Sequence, residues 1–510
     1  MTPSQRIALN TIASYSRSLI AGALTLFSTR WVLAALGQSD FGLFSVVGSI
    51  IIFIVFLNGV MAGSVTRYFS YSLGEGDKEK VNRWFNVAFS IHLILPIVLI
   101  IIGWPIGEYC IDNVLTIPLD RIITARSVFR ISLLSAFFSM VTIPFSAMFT
   151  AKQYITTLAV WGTLQSILSF TFAYILIHLS GDRLLLYAIG TVSITIFIQV
   201  GLSVQAMMVF HECKIRRDYW FDMVRFNKIL SFASWNFIGS FGSILRSQGS
   251  SILLNIFFGP RVNAAFGIAN SVLAQVMALS NSMTGAFTPE MTASEGRGER
   301  SYMIENAIRM CKFSTLLVML FAIPLIVEVE YVLRLWLHEV PQYADTLCQL
   351  MLIMFLVDQL TVGYMIAVNA HGEIAAYQAT LGIILVLTIP LAWLFFKAGW
   401  PPFSVGFAFI STMILVSLGR VLWGRYLLGI PINIWLKEVL IPNALVGAIT
   451  TLAILIPLFL LSGGMRFIVV FIVSVIVSVL SGWFIVLDPR EKRFVAHNFN
   501  KIKIRFGAFG

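Results

Sequence analysis

Two arginines stand inside stretches that are otherwise apolar. Arg17 and Arg246 each lie within about two helical turns of the middle of a long hydrophobic run, at a rise of about 1.5 Å per residue. A charge at that depth is costly in lipid and by default faces a cavity or a partner. The planar guanidinium fork suits phosphate oxygens, so the chemistry expected of this pair is anion binding rather than bond making. Ser14 and Ser28 in the first run, and Ser250 in the other, share the arginine faces at helical spacing and add hydroxyl groups. One acid, Asp358, occupies the middle of a later run and is followed by Gln359 and Thr361. It reads either as a proton or sodium relay or as the counter-ion of an arginine.

The remaining polar residues have plainer readings. Arg30 and Arg130 lie near the outer ends of their runs, and Arg309, Lys312 and Arg420 near inner ends, where long stems let the charges snorkel. His92 is expected to make one hydrogen bond within the third run and is left outside the site. The segment 328–345, with Glu328, Glu330, Glu339 and Asp345 around His338, reads as a solvated acidic loop. No phosphate-binding Gly-x-x-x-x-Gly-Lys-Ser/Thr loop, His-Glu-x-x-His or Gly-x-Ser-x-Gly motif is present, so no catalytic residue and no enzymatic activity are expected. Cys110, Cys213, Cys311 and Cys348 have no paired spacing, which gives neither a disulfide framework nor a metal site.

The elements that must hold these residues are membrane helices. Of 510 residues, 58% are hydrophobic and only 12% charged, a composition that excludes a soluble globular enzyme. A bilayer core needs about 20 apolar residues per helix, which divides the chain into about fourteen spans. They cover 9–34, 41–63, 85–109, 127–149, 156–179, 186–210, 229–257, 263–286, 306–327, 346–368, 376–397, 403–424, 440–461 and 467–487. Continuous apolar runs such as 467–480 exclude the alternating pattern of a β-barrel. The first run lacks a small-residue cleavage site and reads as a retained span.

Basic residues fall mainly in alternate loops, twenty-one on one side against seven on the other, so the positive-inside rule predicts an even number of spans with both termini cytoplasmic. Most of the net charge of +11 is therefore topological. The loop 214–228 and the tail 488–510 read as anchors at an anionic membrane surface, not as nucleic-acid sites.

One constant offset superposes Gly37 on Gly259, Gly63 on Gly285, Thr66 on Thr288, Gly74 on Gly296 and Gly76 on Gly298. The turn 73–78 thus lies over 295–300, each after the second span of its half. The predicted organisation is an N-lobe over 1–215 (spans one to six), a C-lobe over 216–430 (spans seven to twelve), two further spans over 431–487 and the basic tail. Six spans is an even number, so the two lobes share an orientation and are related by a pseudo-twofold along the membrane normal. Under the same offset Arg246 falls on Leu24, two helical turns after Arg17, and both arginines are expected to project from nearly the same face into a cleft shared by the lobes.

Four stretches resemble the oligosaccharidyl-lipid flippases, the polysaccharide transporters related to the multidrug and toxic-compound extrusion proteins. They are Leu-Gly-Gln-Ser-Asp-Phe-Gly-Leu-Phe at 36–44, Asn-Gly-Val-Met-Ala-Gly-Ser-Val-Thr-Arg-Tyr-Phe-Ser at 58–70, Leu-Asn-Ile-Phe-Phe-Gly-Pro-Arg-Val-Asn-Ala-Ala-Phe-Gly-Ile-Ala at 254–269 and Leu-Trp-Leu-His-Glu-Val-Pro-Gln-Tyr-Ala at 335–344. With fourteen spans the chain is similar to Wzx-type O-antigen flippases and lipid II flippases rather than to twelve-span drug exporters. The resemblance implies a transporter of the bacterial inner membrane that turns an undecaprenyl-diphosphate-linked glycan to the outer leaflet through a cationic cavity. It implies membrane lipids and other polysaccharide-assembly membrane proteins as partners, no cofactor, and coupling to a proton or sodium gradient as an option. Two other readings stand beside it: a cation-coupled multidrug antiporter, and a membrane polymerase or acyltransferase, which would be expected to carry a large catalytic loop. The first lobe lacks a mid-span acid, which counts against the antiporter.

Overall fold

The computed structural model describes residues 3–113, 117–337, 340–489 and 491–492. The described residues form helices and connecting turns, as they must where lipid leaves no water to satisfy backbone groups. The helices are α1 (Pro3–Gly74), α2 (Lys78–Asn113), α3 (Ile122–Val141), α4 (Ile143–Ala151), α5 (Ile155–Leu176), α6 (Arg183–Val209), α7 (Met223–Phe258) and α8 (Pro260–Gly296). They continue as α9 (Arg300–Trp336), α10 (Ala344–Gln359), α11 (Val362–His371), α12 (Ala375–Val386), α13 (Thr388–Lys397) and α14 (Ser404–Leu428). Two more follow, α15 (Ile432–Leu460) and α16 (Gly463–Val486).

Eleven helical stretches are long and apolar enough to cross a membrane, and α10–α11, bent by 46° at its break, makes a twelfth. The other two predicted spans, 41–63 and 229–257, are also helical, as the second part of α1 beyond Gly37 and as most of α7. The second half of α7 is too polar for lipid on every side, because Arg246, Gln248 and a run of serines interrupt it. A membrane helix of that composition needs protein around it.

The chain divides into two compact units. Unit 1 holds Met1–Phe237 with Thr292–Gly298, and unit 2 holds Ile238–Met291 with Glu299–Gly510. The internal repeat reappears in the backbone. Gly37 and Gly259 take φ of 74° and 81°, and Gly76 and Gly298 take 79° and 77°, left-handed conformations that glycine adopts without a Cβ penalty. The turn bonds repeat as well. Glu75 donates to the Tyr71 carbonyl and Gly76 to that of Leu73, as Arg297 donates to Ala293 and Gly298 to Glu295. Later in each half the offset shortens slightly, and the left-handed residues Gln153 and Gly181 pair with Gly372 and Gly399.

Within unit 1 the last turns of α1 and α8 cross at backbone contact. A Cβ on Gly74 would stand 2.0 Å from the Ala293 carbonyl oxygen, and one on Gly296 would stand 2.1 Å from that of Tyr71. Since Ala293 is the repeat partner of Tyr71, as Gly296 is of Gly74, each contact is the other's image, and a local twofold relates the two helix ends. Neither side can yield, because both obstacles are main chain. Gly74→Ala is expected to destabilise the protein by about 1–3 kcal/mol through overpacking. Gly76→Ala, with open space around it but a left-handed φ, costs about 1 kcal/mol. Thermal unfolding of the two purified variants checks the order.

Unit 2 anchors the two helices that lie outside the repeat. Met319 and Ile323 of α9 form a core with Val446 and Ile454 of α15 and Val470 of α16. Ion pairs fasten both ends of α9. Arg466 at the start of α16 makes a bidentate bridge to Glu328 at 2.7 and 2.8 Å. At the other end Arg309 lies 3.6 Å and Lys312 3.8 Å from Glu491, and Lys312 lies 3.4 Å from Glu438.

These bridges correct three sequence expectations. Glu328 is not part of a solvated loop but a buried carboxylate inside α9, where the pairing with Arg466 offsets the cost of burying its charge. Arg309 and Lys312 do not simply snorkel, whereas Arg130 is exposed and bonds Glu108 at 2.5 Å. Arg30 is exposed. His338, Glu339 and most of the basic tail lie outside the described residues. The four cysteines are free, and burial pushes the Cys213 thiol up to about 12, which leaves it inert. His92 is fully buried and bonds the Ala88 carbonyl at 2.7 Å, as expected of a structural histidine.

Candidate functional site

The break between α10 and α11 places a charge pair inside unit 2. α10 stops at Gln359, Leu360 and Thr361 interrupt the ladder, and α11 resumes at Val362. The interruption frees backbone groups that must find partners. Trp435 Nε1 donates to the Leu360 carbonyl at 3.0 Å, and Thr361 Oγ1 donates to the Asp358 carbonyl at 3.4 Å. Asp358 sits one residue before the break. Its Oδ1 accepts from Arg420 Nη1 of α14 at 2.7 Å, and its Oδ2 from Gln359 Nε2 at 3.0 Å. Gln359 Oε1 is in turn held by Ser280 of α8 and Ser314 of α9, both at 2.5 Å. Ser417, one turn before Arg420, bonds Thr361 at 3.2 Å. The Asp358 and Arg420 side chains are 18% and 11% exposed, so the pair is removed from bulk solvent on both sides. Arg420, expected to snorkel, is instead the partner of the one mid-span acid, and the counter-ion reading of Asp358 describes its resting contact.

Arg246 enters the same unit from α7. The face that carries it is built of glycines: a Cβ on Gly239 would strike Gln378, one on Gly242 the Gly382 carbonyl, and one on Gly249 the Ile389 side chain. The absence of side chains at these positions seats α7 directly on α12 and α13. The Arg246 guanidinium lies 4.9 Å above the Phe409 ring of α14 and is 9% exposed. Its Nε and Nη1 have no hydrogen-bond partner, and neither has the Oγ of Ser250 one turn on, which is fully buried. The charges of Asp358 and Arg420 reach it electrostatically. Arg246, Arg420 and Asp358 thus set two buried guanidiniums beside one carboxylate, and Arg246, which does not bond that acid, is also the one with two unused donors.

The first lobe's candidates have a different setting. Arg17 is exposed, with its stem lying over Gly162 of α5 in unit 1. Under the offset that relates the two halves it falls on Gly239, a tight crossing in unit 2. Ser14 is half-buried, and Ser28 spends its hydroxyl on the Thr25 carbonyl at 3.0 Å. The five residues grouped by sequence thus separate: Arg246 and Ser250, one turn apart, are buried with unpartnered polar atoms, while Arg17, Ser14 and Ser28 belong to a more open helix. Gln359 was visible beside Asp358, but Arg420, Ser280, Ser314 and Phe409 carried no signal beyond their types. The pairing of α8, α9 and α14 around the break is tertiary. Among the described residues no group of three or more His, Cys, Asp or Glu gathers as a metal site.

This helix arrangement is known. A MATE transporter in its straight conformation superposes with a TM-score of 0.73 at 14% identity, covering 84% of this chain and 97% of its own. The fold is that of the MATE transporters. A MOP superfamily transporter from Pyrococcus furiosus, described by the reverse polarity of its binding pocket, shares the MATE fold with a TM-score of 0.70 over 84% of this chain and 96% of its own, at 15% identity. An outward-facing multidrug resistance MATE family transporter gives 0.71 over the same shares, again at 15%. In sequence, the uncharacterized membrane protein EpsK of Bacillus subtilis (strain 168) is 20% identical over 328 residues, 62% of this chain; the chain spans 62% of the length of that relative. No protein-family profile matches the chain.

Proposed function

We propose that the protein is a flippase that turns an undecaprenyl-diphosphate-linked oligosaccharide from the inner to the outer leaflet of a bacterial inner membrane, with both termini cytoplasmic. The observation that carries this reading is the buried Arg246 guanidinium, with two unpartnered nitrogens and no acid of its own, inside a MATE fold. A buried donor left unmade costs about 1–3 kcal/mol, and more when charged. A diphosphate oxygen supplies the missing acceptor, the Ser250 hydroxyl adds a second contact, and Phe409 keeps the guanidinium plane in place. Arg17 serves as a more accessible cation in unit 1. The head group must be held only moderately, since transport by alternating access requires release. The prenyl chain stays in lipid while the sugars cross. The flipped glycan then passes to other polysaccharide-assembly membrane proteins for O-antigen, capsule or exopolysaccharide synthesis. No cofactor takes part, and any gradient coupling acts at Asp358.

The likeness to a multidrug resistance MATE transporter favours a second reading, a cation-coupled antiporter of drugs or small solutes. Such an exporter of cationic drugs would be expected to expose an acid, whereas Asp358 is held by Arg420. The double variant Arg17→Ala/Arg246→Ala separates the two readings in a strain lacking the chromosomal gene. Surface glycan is expected to disappear while drug tolerance stays unchanged. A folded, abundant double variant with normal glycan display would remove the cationic-site proposal, and loss of drug tolerance alone would favour the antiporter.

A further inference from the structure

The chain that leaves α16 turns back onto α9 through the start of a new helical turn. Asp488 Oδ1 accepts from the Glu491 backbone N–H at 2.8 Å, and Glu491 Oε2 accepts from the Asp488 backbone N–H at 2.9 Å. This reciprocal pair, with Pro489 in the first helical position, is a capping box. The box aims Glu491 inward. Its side chain is 3% exposed and faces Arg309 Nε at 3.6 Å and Lys312 Nζ at 3.8 Å. Both distances exceed a hydrogen bond, and the atoms that approach most closely, Glu491 Oε1 and Arg309 Nε, have no hydrogen-bond partner. Burial pushes the Glu491 carboxyl up in spite of the two cations. The other charged groups at this place are Glu305, which bonds Arg309 Nη2 at 2.6 Å, and Glu438 of α15, 3.4 Å from Lys312. The contact is buried yet loose.

Unit 1 shows that this face of the helix needs cover but not charge. With Gly76 placed on Gly298, α2 lies over α9, so that Lys312 falls on Ser90 and Arg309 on Val87. Ser90 Oγ donates to the Trp220 carbonyl at 2.7 Å, and Asn86 Nδ2 to that of Lys214 at 3.0 Å. The chain that follows α6 is thus laid on α2 by neutral hydrogen bonds of ordinary length. In unit 2 the cover is the chain that follows α16, and one carboxylate set against two cations holds it. The residues around that carboxylate are strongly basic: Arg490, Lys492, Arg493, Lys501, Lys503 and Arg505, with Glu491 the one acid from 489 to 510. Near an anionic leaflet each basic residue favours membrane contact by about fivefold. One acid pulls the segment towards α9, and six bases pull it towards lipid charge.

We infer that the chain at 488–492 is a two-position latch: Glu491 docks it on Arg309 and Lys312 of α9, and an anionic phospholipid surface, acting on the basic residues around Glu491, lifts it off. The inference rests on the placement of the tail at a membrane surface and not on the flippase reading. It has a consequence inside the protein. Trp435, on the same π-helical turn as Glu438, donates to the Leu360 carbonyl at the α10–α11 break. The turn of α15 that meets Lys312 therefore also serves the break, and lipid charge becomes an input to it.

A nitroxide label at Lys492→Cys, in a Cys110→Ser background, reports the latch by electron paramagnetic resonance of the full chain in nanodiscs. Nanodiscs present the same lipid on both faces, so the result depends neither on orientation nor on transport. In phosphatidylcholine the label is expected to be immobile and shielded from a water-soluble nickel chelate. In nanodiscs rich in phosphatidylglycerol it is expected to become mobile and accessible to oxygen. Glu491→Gln removes the charge but keeps the capping box, because glutamine serves at that position. Its label is expected to be mobile already in phosphatidylcholine. Arg309→Gln tests the contact from the other side and serves if Glu491→Gln does not fold. Arg493→Gln/Lys501→Gln/Lys503→Gln/Arg505→Gln is expected to keep the label immobile in both lipids. Four outcomes overturn the inference: a folded Glu491→Gln or Arg309→Gln protein as immobile as its parent in phosphatidylcholine, a parent spectrum that is the same in the two lipids, release of the four-glutamine variant by phosphatidylglycerol, or failure of both single neutral variants to fold.

Discussion

Asp358→Asn is expected to destabilise the protein by about 3–5 kcal/mol, because it leaves the Arg420 guanidinium buried and uncompensated. The asparagine keeps the shape of the side chain and one acceptor, so the loss reports charge rather than packing. Replacing both partners together, as Asp358→Leu/Arg420→Met, removes the desolvation burden along with the attraction and is expected to restore most of the stability, since apolar replacements of buried ion pairs are often neutral or better. The two partners belong to helices tied by the Ser417–Thr361 bond, so the single effects will not add. Chemical denaturation of the single and double variants in detergent checks the pattern. A double variant that is stable yet inactive would assign the pair to function rather than to folding.

The second large effect is expected at Arg246. Truncation to alanine removes a cation that contributes no internal hydrogen bond from Nε or Nη1, so stability should change little or rise. Binding of a diphosphate head group should fall by about 10–100-fold, the equivalent of one charge-assisted contact of about 1.5–3 kcal/mol. Arg246→Lys keeps the charge but loses the planar fork and the stacking on Phe409, and it should recover only part of the loss. The contrast with Asp358→Asn is the useful one: one substitution costs stability, the other costs substrate. Measuring unfolding and glycan display on both variants separates the roles.

The sequence carried the architecture in its apolar periodicity and its glycines. Spans could be placed because about 20 apolar residues have few other uses, and the repeat could be found because left-handed turns at Gly37, Gly76, Gly259 and Gly298 tolerate little else. The depth of Arg246 was legible for the same reason. Its surroundings were not. Whether a buried arginine has an acid depends on which helices meet, and Arg420 is 62 residues from Asp358. The reading of Arg420 as a snorkelling residue failed because position along a span says nothing of the neighbour across it. Glu328 follows the same rule: an acid near a predicted loop reads as solvated, and only the fold brings Arg466, 138 residues away, to meet it. The grouping of Arg17 with Arg246 came from spacing alone, and the two turn out to differ in burial, with Gly162 beneath one and Phe409 beneath the other.

The central claim is that the buried Arg246 guanidinium takes up the diphosphate of a lipid-linked glycan. Its most direct test is translocation of a fluorescent undecaprenyl-diphosphate-linked oligosaccharide in vesicles reconstituted with wild-type protein or with Arg246→Ala at matched, folded content. The account predicts movement between leaflets with the wild type and a rate near that of empty vesicles with the variant. Equal rates for the two proteins would contradict it.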